Sequence, residues 1–109
     1  LKIPSDAVIP IEKLTQYLLV PRQRNDKSKF LAQAGFGAGN SGDLIRAIRR
    51  LVAHNEAVQD RQDVYGRFYQ VTGDLVGPSG ILSVVTVWIE RSVDGQIRFV
   101  TLKPARDDS

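Results

Sequence analysis

Cysteine is absent from this sequence, and histidine occurs once, at position 54. Without thiols the chain forms no disulfide, no thiolate metal site and no cysteine nucleophile. A zinc centre would have to rest on carboxylates around one imidazole, a poor fit to that ion's ligand preferences, so neither metal nor cofactor is expected. Long apolar runs are missing too. The longest, Ile81–Ile89 (ILSVVTVWI), is interrupted by Ser83 and Thr86 and falls well short of the ~18–20 residues a membrane-spanning helix needs. No charged-then-apolar leader opens the chain, which starts at Leu1. A domain excised from a longer polypeptide, such as its C-terminal one, would read this way. Absence of cysteine fits the cytoplasm and does not exclude secretion. The glycine-rich GFGAGNSG lacks the Gly-Lys-Ser/Thr ending of a phosphate loop and follows a helical pattern where such a loop follows a strand.

What is present suits one small folded domain. The 109 residues are 42% hydrophobic and 25% charged, enough for a modest core spanning about 9–104, with ARDDS (105–109) as a frayed tail. The net charge is +3, unevenly spread: residues 1–54 carry nine Lys/Arg against four Asp/Glu, and residues 55–109 carry six against eight. A basic front half draws anionic partners, nucleic acid among them, and equally serves as a solvated helical rim.

The hydrophobic period changes mid-chain. Ile11, Leu14 and Leu18 recur at helical spacing behind Pro10, which predicts a first helix over 10–20, stopped by Pro21. Asn25 or Asp26 can cap a second helix whose apolar side is Phe30, Leu31 and Ala34, with Gly35 as its stop. Residues 37–43 read as a loop. Leu44, Ile45, Ile48, Leu51 and Val52 form one stripe of a third helix ending near 53–55, with Arg46, Arg49 and Arg50 opposite. Strands follow. EAVQD suits a short edge strand, and YGRFYQVTGDLVG alternates Tyr69, Val71, Gly73 and Leu75 against Phe68, Gln70, Thr72 and Asp74, with an irregularity expected at Gly73. GPSG is a turn, ILSVVTVWIE a central strand, and Asp94-Gly95 a hairpin before IRFVTLK. The expected architecture is α+β, two to three N-terminal helices packed on a three- to four-stranded antiparallel sheet.

Candidate chemistry is sparse. His54 is the natural general acid–base by pKa, but its place at a helix C-terminus equally suits capping. Lys27 and Lys29 open the second helix, where cations oppose the helix dipole; with Arg24 they make a candidate phosphate-binding group, or project into water. Simple alternation puts Thr86 and Trp88 on one sheet face, and sets Arg98 and Val100 opposite Ile97, Phe99 and Thr101. Trp88 and Tyr69 are candidate base-stacking rings, although a chain with a single Trp also needs it as core.

The order of signatures IPIEKLTQYLL, NDKSKFLAQAGF, YGRFYQVTGDLVGPSG, VVTVWI and RFVTLKP resembles an uncharacterised bacterial domain family with the pattern KLxxYLL, YGxxY, GPxG, VW and TxxP, matched from about Ile9 to Pro104. The layout is more distantly similar to the barnase–EndoU–colicin–RelE class of metal-independent ribonuclease toxins. That resemblance implies RNA cleavage by ribose 2′-hydroxyl attack, with Lys13 and Tyr17 on the first helix, Lys29 on the second and Thr101 on the last strand as site residues; Arg98 and His54 are further candidates that fall on no family motif. It also implies RNA or an immunity protein as partner, and delivery within a secreted toxin as an alternative to the cytoplasm. Arg22-Gln23-Arg24 stands where related chains carry a histidine. The competing reading is a non-catalytic module of the same fold that binds protein or RNA through a decayed site.

Overall fold

Pro10, held at φ −64°, opens α1 (Ile11–Lys13), which passes directly into a π-helical turn over Leu14–Leu18. The Leu19 N–H bonds to the Leu14 carbonyl five residues back, at 2.9 Å. That wider turn replaces the regular helix expected over 10–20, and it lets Leu14, Leu18 and Leu19 all reach the core, at 0, 5 and 5% exposure. The computed structural model describes residues 1–19 and 27–105. Pro21, Arg22, Arg24 and the expected caps Asn25 and Asp26 lie outside them.

The second helix, α2 (Ser28–Ala32), is short, and Gly35 ends its final turn at φ +90°, the positive angle foreseen for a stop. The stretch expected as loop over 37–43 holds a 3-10 turn, Ala38–Asn40, from which α3 (Ser41–His54) starts. Asn40 makes this compact: its side-chain oxygen accepts the Gly37 N–H at 2.7 Å, and its amide donates to the Gly35 carbonyl at 2.8 Å. Leu44, Ala47, Ile48, Leu51 and Val52 are the buried stripe of α3, as periodicity requires.

The strands β1 (Val58–Asp63), β2 (Gly66–Gly77), β3 (Gly80–Arg91) and β4 (Ile97–Pro104) form an antiparallel meander in chain order. The fold is α+β, with helices N-terminal to the sheet. Pairing of β2 with β3 is unbroken from Gly66↔Arg91 to Gly77↔Gly80, so no irregularity falls at Gly73. Glycine gives close approach there instead: a Cβ would crowd the side chains of Leu51 in α3 and of Asn55 just after it. At Gly66 (φ +152°) a Cβ would run into the Glu90 carbonyl.

One face of the sheet is the core floor. Tyr69, Val71, Leu75, Val84, Thr86, Trp88, Phe99 and Leu102 are all buried, together with Ile3 and Ala7 from the N-terminal segment. Thr86 Oγ1 donates to the Val71 carbonyl at 3.0 Å and accepts the Trp88 indole N–H at 2.9 Å, so the buried polar groups satisfy one another. Phe99 meets Trp88 edge-on, centroids 5.4 Å apart. On the far edge of β4, Val8 bridges Arg98 in parallel, which brings α1 alongside that edge.

The opposite face carries Phe68, Val85, Val87 and Ile89. Phe68 lies outside the core cluster and is covered by the Arg61 guanidinium, 3.9 Å from its ring centre.

Candidate functional site on the open face of β4

The ladder between β3 and β4 shifts once. Val87 pairs with Thr101 and Trp88 with Phe99, which leaves Val100 as an extra residue, a β-bulge. Thr86↔Leu102 and Trp88↔Phe99 face the core, and Val85↔Lys103, Val87↔Thr101 and Ile89↔Arg98 face outward. Simple alternation separates Arg98 from Thr101; the bulge puts them on the same face, with Lys103 next along it. No glycine or proline marks position 100. The only trace in the sequence is the odd spacing of the two large core residues, Phe99 and Leu102.

Two side chains from distant parts of the chain meet over this face. Lys27, immediately before α2, donates from Nζ to Thr101 Oγ1 at 3.0 Å. Its amine is half-buried, and burial, followed by repulsion from Lys103, lowers its pKa from the ordinary lysine value. A lysine so placed releases its proton more readily than a solvated one, and a neighbouring ammonium favours an anion between them. Arrangements of this type hold phosphate and move protons.

Beside this cluster lies a groove of about 620 Å³ between α1 and the ends of the two hairpins. Lys13 and Tyr17 line one wall, Val64, Tyr65 and Val93 the other, and Ile89, Arg98, Phe99 and Val100 also border it. The hairpin turns are laced to each other: the Ser92 N–H bonds to the Tyr65 carbonyl at 3.0 Å and its hydroxyl to the Val64 carbonyl at 2.8 Å. Arg98 Nε is buried and has no hydrogen-bond partner among the described residues.

The sequence candidates therefore divide. Lys13, Tyr17 and Arg98 share the groove, and Lys27, Thr101 and Lys103 form the adjoining cluster. Lys29 is exposed on α2, and it is Lys27 that reaches Thr101. His54 is exposed at the end of α3 and borders a different cavity, with Arg50, Asn55 and Asp74, away from β4. Trp88 at 0% and Tyr69 at 6% exposure are core residues and present no ring to a base. This corrects the stacking expectation: the face carrying Thr86 and Trp88 is the one the helices cover. Arg24 lies outside the described residues. The aromatic that sequence reasoning missed is Tyr65, 73% exposed in the β1–β2 turn, where a large ring before Gly66 was the available signal.

Among the described residues no helix is long and apolar enough to cross a membrane. The fold is similar to that of a chain in a contact-dependent growth inhibition toxin–immunity protein complex from Klebsiella pneumoniae 342, with a TM-score of 0.67 and 19% identity over 91% of this chain and 100% of that one. Comparison with the curated proteins gives no match. Residues 1–106 match DUF6883, described as a domain of unknown function, and the chain belongs to that family.

Proposed function

We propose that this chain is a toxin-like domain that binds the RNA backbone on the open face of β4 and cleaves it without a metal. The observation that carries the reading is the Lys27–Thr101 hydrogen bond, 3.0 Å long, made by a lysine whose proton affinity is lowered by burial and by Lys103. Neutral Lys27 takes the proton of a ribose 2′-hydroxyl. That oxygen attacks the adjacent phosphorus, and the bond from phosphorus to the 5′-oxygen breaks. The leaving oxygen takes a proton from the Lys103 ammonium, giving a 2′,3′-cyclic phosphate and a 5′-hydroxyl end. The Thr101 hydroxyl and the Arg98 guanidinium donate to the crowded phosphoryl oxygens as charge builds.

The likeness to a chain from a toxin–immunity complex supports the toxin-like part of this reading and a protein partner for the domain. One observation favours a second reading, RNA binding without cleavage: the single histidine, His54, stands away from the cluster, so base and acid would both have to be lysines.

Incubation of bulk tRNA and a single-stranded RNA with the purified domain in EDTA separates the two. Cleavage by the wild type, reduced at least ~100-fold in Lys27→Ala and in Thr101→Val, is the expected result. Salt-sensitive retention with no cleavage selects the binding module. Neither cleavage nor retention overturns the RNA reading.

A further inference from the structure

The groove beside the cluster has features that phosphate binding does not use. Val64 and Val93 are 82 and 76% exposed at the laced hairpin turns, beside the Tyr65 ring and across from Tyr17. Apolar groups held this openly on one wall mark a surface that something covers. At about 620 Å³ the groove is the size of a small-molecule site and far larger than an anion requires. Its lining also carries three cations, Lys13, Arg91 and Arg98, against one carboxylate, Glu12.

We propose that this groove receives an unpaired nucleobase of single-stranded RNA, stacked on Tyr65, beside the phosphate held at Thr101; the proposal rests on the RNA reading above. A base supplies what the groove lacks: a flat π-face for the Tyr65 ring. Charge complementarity selects a nucleotide over a neutral apolar side chain, because the backbone bearing the base passes Lys13 and Arg98 and neutralises them. The bulge at Val100 makes the two subsites continuous. Thr101 and Arg98 pair with Val87 and Ile89, two residues apart on β3 and hence ~7 Å along the strand, which suits consecutive groups of one extended nucleotide.

The test compares two decamers in filter binding, one of 2′-O-methyl adenosine and one with the same 2′-O-methyl backbone but no bases; neither carries the 2′ nucleophile, so binding is read without cleavage. The wild type is expected to bind the decamer with bases about tenfold more tightly than the abasic one. Tyr65→Ala should reduce the first to the abasic level and leave the abasic affinity unchanged, and Lys103→Ala should weaken both alike. The Tyr65 substitution leaves the fold in place, because Tyr65 is tied to its neighbours through its main chain, its N–H to Asp63 and its carbonyl from Ser92, and its ring is exposed. Equal wild-type affinity for the two decamers overturns the base subsite while the RNA reading stands, and leaves the groove for a protein partner. A base preference that survives Tyr65→Ala also overturns it. Retention of neither decamer overturns the subsite and the RNA reading together.

Discussion

At Lys27, burial and the neighbouring Lys103 ammonium act in the same direction, and both disfavour the charged amine. The linkage follows from that direction. The folded chain releases this proton at lower pH than the unfolded chain does, so between the two pKa values the unfolded state binds more protons and stability rises with pH. The gain begins at the lowered folded pKa and is complete at the ordinary lysine value of 10.5. Replacement by methionine keeps the apolar stem and removes the charge. Lys27→Met should therefore melt higher than the wild type at neutral pH, the difference shrinking as pH climbs towards 10.5, while RNA cleavage is lost. Thermal melts of both proteins across that range check the sign, and a difference independent of pH would mean that the lysine's charge is not the cause. Lys27 was named from the sequence because cations at a helix start oppose its dipole. Its partner Thr101 was named only through the family pattern, since the two stand 74 residues apart and nothing local joins them.

Among the elements, β4 departs most from what its sequence suggests. Deleting Val100 leaves Arg98 outward, Phe99 inward and Thr101 outward in a regular ladder, because the bulge is one residue added to that alternation. The deletion should fold, at a cost of about 1–2 kcal/mol from lost packing, and retain the near-ultraviolet circular dichroism of the Trp88–Phe99 pair. Cleavage should drop, since the local twist that aims Arg98 and Thr101 together is gone. Loss of the near-ultraviolet signal would instead show that the bulge is needed to hold the register. The other elements were legible to different degrees. Leu44 to Val52 carry a helical period and Tyr69 to Leu75 a strand period strong enough to fix which side is buried. The π turn at Leu14–Leu18 was not legible, because its apolar residues also satisfy an ordinary helix. Neither was the placing of Tyr65 and Tyr17 on one groove, which depends on the lacing of two turns that are far apart in the chain.

For the molecule as a whole, the net charge of +3 says less than its placement. Lys13, Lys27, Arg98 and Lys103 gather along one edge of the sheet, drawn from α1, the start of α2 and β4. Lys27 acts as the neutral base, so if Lys13, Arg98 and Lys103 contact phosphates, the logarithm of RNA affinity should fall against the logarithm of salt concentration with a slope of about −2, and by ~0.7 less for each cation removed. Titrations of the wild type and Lys103→Ala at several salt concentrations check this. A slope near zero would assign binding to apolar contacts alone.

Phe99 belongs to two places at once: the residue borders the groove, and its ring meets Trp88 edge-on. Because Trp88 is the only tryptophan and no part of it reaches solvent, a ligand in the groove cannot quench it by contact. Its emission is therefore a built-in gauge of whether Phe99 moves. A spectrum unchanged by a bound ligand reports a rigid wall, and a changed one reports a displacement passed from the groove into the interior through a single ring.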